Sequence, residues 1–142
     1  MTNDREPIRP DELAAMFGRG GVRPSTRCAL AVSGGSDSTA LMVLFADWLR
    51  QHGADAALHT VLTVDHGLRA ESAREALAVT ERAESLGFAH ATLVWDGPKP
   101  QTGIQAAART ARYRRMGDYM RANGIALLLT GHTQDGRAET LL

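Results

Sequence analysis

Residues 28–45, CALAVSGGSDSTALMVLF, pass from five apolar residues into a run of serine and glycine and then return to apolar residues. Cys28–Val32 is short and continuously apolar, as expected of a buried strand. From Asp37 the apolar residues recur at 40, 41, 44, 45, 48 and 49, which is a helical period. The polar residues between are therefore a strand-to-helix turn. Glycines let the backbone bend tightly and approach an anion, the helix start supplies unpaired N–H groups with a positive dipole end, and serine hydroxyls add donors. Such a turn suits phosphate. The same residues also allow a plain capped turn, with Ser36 or Asp37 satisfying helix N–H groups. No Gly-Lys-Ser/Thr follows and G-x-G-x-x-G is absent, so the turn is neither the common triphosphatase loop nor the dinucleotide fingerprint.

The alternation repeats downstream. The pattern predicts a strand over 57–64, a helix over 71–86, a strand over 91–95, a helix over 102–121 and a strand over 125–130. Strands separated by helices imply right-handed crossovers, hence an α/β fold with a doubly wound parallel sheet and helices on both faces. In such sheets ligands sit beyond the carboxyl ends of the strands. Those ends carry Ser33–Ser38 on the first strand, Asp65-His66-Gly67 on the second, and Gly131-His132-Thr133-Gln134-Asp135 on the fourth. Ahead of the sheet, Pro10-Asp11 is expected to open a short helix bearing Leu13, Met16 and Phe17, broken by GRGGVRPS, so 1–26 is a helix and loop leading into a single domain.

Composition narrows the partners. At 142 residues and 44% hydrophobic, the chain is the size of one domain with a real core. Sixteen basic and sixteen acidic residues cancel, so no overall positive field draws nucleic acid; an RNA partner is expected on local patches or on parts outside this stretch. Cys28 is the only cysteine, which excludes an intramolecular disulfide, a CxxC pair and a Cys-rich zinc site and points to the cytoplasm. The N-terminus is too charged for a signal peptide, and no apolar run reaches membrane-spanning length.

SGGSDS resembles the pyrophosphatase loop (PP-loop) of the N-type ATP pyrophosphatases, which split ATP between the α- and β-phosphates and adenylate a substrate oxygen. Three further stretches are similar to the tRNA(Ile)-lysidine synthetases within that superfamily: VDHGLR at 64–69, the R-x-x-R-Y of Arg109–Tyr113, and GHTQDGRAET at 131–140. The resemblance implies an adenine nucleotide alpha hydrolase-like, Rossmann-like domain over 1–142. It places the ATP pyrophosphate on Ser33, Gly34, Gly35, Ser36, Asp37 and Ser38. The rest of the nucleotide lies near Ala31, Val64, Asp65 and Gly131, with Mg²⁺ on Asp37 and Asp65. Asp37, Arg112, His132, Asp135 and Glu139 are the implied catalytic residues: Arg112 stabilises the adenylated intermediate, with Tyr113 packing beside it, and the acids hold Mg²⁺ or the lysine ammonium. The implied partners are a tRNA(Ile) with a CAU anticodon and free L-lysine, with a homodimer allowed and no membrane. C2 of the wobble cytidine is activated by adenylation and the lysine amine displaces AMP.

Each residue also has a plain structural reading. Asp65 caps a turn; Arg109 and Arg112, three apart on one helix face, are solvated; Asp135 caps the helix that the last cluster is expected to open. His66 reads as a turn residue, His52, His59 and His90 as surface or sheet-end residues, and Trp48 as core. Two positions depart from the family pattern G-H-[HT]-x-D-D-Q-x-E-T: Gly136 replaces the second aspartate and Arg137 the glutamine. Leu142 falls two residues into what reads as a running helix, so the chain is expected to be the family's catalytic N-terminal region. The rival readings are another PP-loop ligase or tRNA modifier, with CxxC-dependent thiolating relatives disfavoured by the single cysteine, and an ATP-binding module impaired in catalysis.

Overall fold

The computed structural model describes residues 26–33, 36–65, 67, 71–95, 99–130 and 138–140, with the backbone only at 36, 37 and 138–140. The helix expected at 10–17 lies outside them. The elements are β1 (Cys28–Ala31), α1 (Ser36–Gln51), a 3₁₀ turn at Ala56–Leu58, β2 (Thr60–Asp65), α2 (Glu71–Ser85), β3 (Ala89–Val94), α3 (Ile104–Ala122), β4 (Leu127–Thr130) and β5 (Ala138–Thr140). The strands form one sheet in the order β3-β2-β1-β4-β5.

β1 is the central strand of the parallel part. Ala29 to Ala31 face Thr60 to Leu62 on one side, and Cys28 to Ala31 face Leu127 to Thr130 on the other. The Val32 N–H carries the β2 pairing one residue further by donating to the Leu62 carbonyl at 3.0 Å. The chain adds β2 and β3 on one side of β1 and then returns to add β4 on the other. Crossovers of constant hand then require the helix to change faces when the direction reverses. The packing shows this change. Cys28, Leu30 and Val32 pack with Leu41, Met42, Phe45, Trp48 and Leu49 of α1 and Val79 and Ala83 of α2; Ala29, Leu62 and Leu128 pack with Met116 and Met120 of α3. The expected doubly wound architecture, with helices on both faces, is present.

Most boundaries shift by one or two residues, the strand read over 125–130 beginning at Leu127, and three differences have a clear physical cause. The strand predicted over 57–64 begins at Thr60, because the Asp55 carboxylate accepts the Ala57 N–H at 2.9 Å and folds 56–58 into a capped 3₁₀ turn. The third strand begins at Ala89, earlier than predicted, since its pairing to Thr60 runs the full length of β2. Residues 138–140, expected in a helix, instead lie antiparallel on β4, with Glu139 opposite Leu128. The edge of β4 offers a row of unpaired N–H and C=O groups that a strand satisfies at once, whereas a helix must fix several residues for its first hydrogen bond.

Trp48 is core, as expected, stacked at 5.7 Å on Phe45, which stacks in turn on Phe88 at 6.2 Å. His59 is at the sheet end but fully buried, not at the surface. Its Nδ1 accepts the Cys28 backbone N–H at 3.2 Å and its ring meets the edge of Phe45, so the imidazole closes the amino-terminal end of β1. Among the described residues, no helix is long and apolar enough to cross a membrane.

Burial pushes the Cys28 thiol from 9.0 up to about 12, so it carries almost no thiolate at mildly alkaline pH. Folded protein should therefore resist iodoacetamide at a pH where the same protein in guanidinium is alkylated rapidly, as followed by mass spectrometry. Equal rates in the two states would contradict the burial of β1.

Candidate functional site

The reversal of strand addition at β1 sets the site. In open α/β sheets ligands sit beyond the carboxyl ends of the strands, at the point where the strand order reverses. β1 leads through 33–35 into α1, whose first residue is Ser36. The turn is fixed by Ser38: its buried hydroxyl accepts the Ser33 N–H at 3.1 Å and lies 3.2 Å from the Ser33 hydroxyl. Ser38 thus shapes the turn from inside, while Ser33 is exposed at its mouth. The serine bonds hold the first turn of α1 against the end of β1, while the capping read for Ser36 and Asp37 falls on side chains outside the described residues.

Next to β1, β2 ends at Asp65. The Asp65 Oδ1 accepts the Gly67 N–H at 2.9 Å, which is the turn-capping role read from the sequence. Gly67 has φ +67°, a left-handed backbone that a side chain would strain. Ala31 and Val64, the other expected nucleotide neighbours, are both half-buried on the α3 face and pack with Tyr113 and Leu93. By strand alternation Asp65 points to the other face, so the structure gathers Ala31 and Val64 together and leaves Asp65 at the rim.

α3 joins parallel strands, so it runs antiparallel to them and its first turns lie at this same carboxyl edge. Nineteen residues make it about 28 Å long, against about 20 Å for the six residues of β2. Its buried residues, Met116, Gly117 and Met120, all lie in the second half. The first half carries Arg109 and Arg112, whose guanidinium carbons stand 5.3 and 5.5 Å from the centre of the Tyr113 ring. Arg112 is half-buried, and its buried Nε has no hydrogen-bond partner among the described residues. A buried donor left unpaired costs about 1–3 kcal/mol, which makes this Nε a candidate ligand contact. Arg109 is exposed, in keeping with a solvated side chain, whereas Arg112 is half-buried.

Sequence reasoning missed Lys99. Its Nζ donates to the Trp95 carbonyl at 3.1 Å, stands 5.1 Å from the Trp95 ring centre, and would lie 3.8 Å from a Cβ on Gly67. Trp95 is fixed by donating its N–H to the Asp65 carbonyl at 3.0 Å. An ammonium is thereby held beside the end of β2. The only signal in the sequence was a lone lysine four residues after a tryptophan, in a segment that reads as a loop.

Gly34, Gly35, His66, Gly131, His132, Asp135, Gly136 and Arg137 lie outside the described residues, as do the side chains of Ser36, Asp37 and Glu139. The backbone of Glu139 is beside β4, with two strands between it and β2. The residues present fit a nucleotide phosphate: a helix start with serine hydroxyls follows β1, an anchored ammonium lies beside the end of β2, and α3 carries a buried guanidinium donor without a partner among the described residues. For a divalent ion, the described residues contain no cluster of three or more metal-ligating side chains. Mg²⁺ here would depend on Asp37, Asp65, phosphate oxygens and water, a sparse protein donor set that is usual for this ion.

Comparison with known proteins bears on the same residues. The model of the PP-loop domain matches residues 8–142. A tRNA(Ile)-lysidine synthase of Bradyrhizobium diazoefficiens is 49% identical over 140 residues, covering 99% of this chain and 38% of that protein. The enzyme of the same name from Mesorhizobium japonicum is 54% identical over 112 residues, covering 79% and 24%, and that of Rhodopseudomonas palustris 48% over 139 residues, covering 98% and 39%. The chain thus spans no more than about two fifths of the length of these relatives. Among solved structures, the U34-tRNA thiolase NcsA from Methanococcus maripaludis, with its 4Fe-4S cluster, superposes with a TM-score of 0.73 at 14% identity, covering 87% of this chain and 44% of that one, a likeness of fold. With the serine-glycine turn at the β1 to α1 junction and a family match from residue 8 to residue 142, the chain belongs to the PP-loop family of ATP-using domains.

Proposed function

We propose that this chain is the ATP-binding and adenylating part of a ligase that makes lysidine from the wobble cytidine of tRNA(Ile) with a CAU anticodon, acting in the cytoplasm. The observation that carries the reading is the Ser33–Ser38 hydrogen bond that ties the end of β1 to the first turn of α1, next to the strand that ends at Asp65. The names of relatives 48–54% identical support the choice of substrate.

In this reading the backbone donors of Ser33, Gly34, Gly35, Ser36, Asp37 and Ser38 hold the pyrophosphate. Ala31, Val64 and Gly131 border the adenosine. Asp37 and Asp65 hold Mg²⁺, which supplies charge neutralisation at the departing pyrophosphate. The C2 oxygen of the cytidine attacks the α-phosphorus and pyrophosphate leaves. The amine of lysine then attacks C2, and AMP departs with that oxygen. Arg112 donates to the negative charge that develops during adenylation, and Lys99, held by Trp95, adds a second cation at the β2 end. His132, Asp135 and Glu139 orient the lysine ammonium.

A second reading, an impaired ATP-binding module, is favoured by Gly136 and Arg137, which remove an acid and add a base where the lysine would bind. Restoring the family pattern with Gly136→Asp and Arg137→Gln in the complete enzyme decides between them. If the site is impaired, lysine-dependent AMP release should rise about ten- to a hundredfold, the worth of a charge-assisted contact of about 1.5–3 kcal/mol. Robust and equal activity in both forms would place these positions away from lysine.

The primary test is AMP release from ATP on an isoleucine tRNA transcript with lysine, glutamine, ammonia or sulfide supplied in turn. Release with lysine alone is expected; release with sulfide or ammonia instead would assign another PP-loop reaction. In the same assay Arg112→Ala should slow adenylation by about ten- to a hundredfold, with Arg112→Lys rescuing little because a lysine cannot present the Nε donor. Unchanged kcat in Arg112→Ala would remove it from catalysis.

Ser38→Ala takes away the acceptor that fixes the turn. ATP affinity by calorimetry should fall about five- to thirtyfold, in line with a lost buried hydrogen bond of about 1–2 kcal/mol. Undiminished affinity in the folded variant would place the phosphates elsewhere.

A further inference from the structure

The balanced net charge conceals a separation by face. α3 carries five arginines, at 109, 112, 114, 115 and 121, against the single acid Asp118. On the opposite face of the sheet, α1 and α2 together hold six acids against three arginines. The two faces therefore present opposite signs at a formal charge of zero. Arg121 is engaged by Asp118, whereas Arg109, Arg114 and Arg115 are exposed.

We infer that the arginine face of α3 is a docking surface for an RNA phosphodiester backbone, with Arg109 and Arg112 leading from the edge site and Arg114 and Arg115 extending the track outward. The inference rests on the proposed reading that the edge site acts on an RNA base. Arg109, Arg112 and Arg115 follow one another at three-residue spacing, so they form a continuous row on the helix. Two guanidinium groups flank one tyrosine ring at 5.3 and 5.5 Å, a like-charge arrangement that an anion between or beside them relieves. One of them also has the unpaired buried Nε. Polyanionic RNA matches this chemistry, and arginine suits phosphate through its planar set of donors. An anionic membrane matches it less well, because α3 exposes no large apolar side chain to insert, its exposed residues being arginine, aspartate, glutamine, threonine and alanine.

The test measures RNA binding by this chain across a salt series, using fluorescence anisotropy with a labelled isoleucine tRNA transcript. The variant Arg114→Glu with Arg115→Glu is compared with Arg74→Glu with Arg82→Glu, an identical change of net charge on α2. Neither pair lies in the nucleotide site, so calorimetric ATP affinity reports whether each variant is folded. The α3 pair should lose at least about tenfold in RNA affinity at moderate salt and flatten the log-log salt slope by about 1.4–1.8, equivalent to two phosphate contacts. The α2 pair should change neither by more than about twofold. No RNA binding by the parent chain, equal losses in the two variants, or an unchanged α3 variant would each overturn the inference. Loss of binding to phosphatidylglycerol vesicles with RNA binding intact would assign the face to membrane and overturn it as well. Lysine-dependent AMP release by the complete enzyme is scored separately. RNA binding that needs the α3 arginines without such release would refute the lysidine reading while leaving the docking surface in place.

Discussion

The structure depends on one constraint: β1 is paired in parallel on both sides, so its backbone is committed along its length and its side chains are buried in both layers. Its four residues, Cys-Ala-Leu-Ala, include no charged or hydroxyl side chain. Polar residues begin where the strand ends, beside the point where the order of strand addition reverses. The helix start and the polar turn follow from that position. Small residues sharpen the effect, since Ala29 and Ala31 let α3 approach the sheet closely and bring Tyr113 and its arginines to the edge.

Polar groups inside the domain are satisfied by devices at the ends of strands. His59 accepts from the first N–H of β1, Asp65 accepts from Gly67, and Ser38 accepts from Ser33. Against that background the Thr63 hydroxyl and the Arg112 Nε are exceptions, buried without a partner among the described residues. Arg112 stands on the half of α3 that holds none of the helix's fully buried residues. Lys99 reaches the same edge from a loop, anchored by a tryptophan whose own N–H extends the β2 to β3 ladder.

Much of this was legible in the sequence, for physical reasons. Periodicity marks α1 because its buried stripe is wide and strongly apolar, and the continuous run 28–32 marks a strand buried on both faces. The serine-glycine turn declared itself because few other roles require that composition between a strand and a helix. What escaped the sequence was decided by partners distant along the chain. The full burial of His59 depends on the Cys28 amide 31 residues away, and the pairing of 138–140 depends on the open edge of β4. The placement of Lys99 follows from Trp95, whose own N–H is held by the distant Asp65 carbonyl. Net charge misled for a similar reason: a sum over the chain cannot show that α3 and α2 lie on opposite faces.

The central claim is that nucleotide phosphate sits on the β1 to α1 turn at the carboxyl edge. The most direct measurement is backbone and arginine side-chain NMR during titration with Mg²⁺ and ATP. The account predicts the largest shifts at the amides of residues 33–38, with further changes at Val64, Asp65 and the Arg112 Nε–H, and little change at the amino-terminal ends of the strands or along α2. Shifts confined to α2, or an Arg112 Nε–H signal that saturating ATP leaves unmoved together with the 33–38 amides, would contradict it.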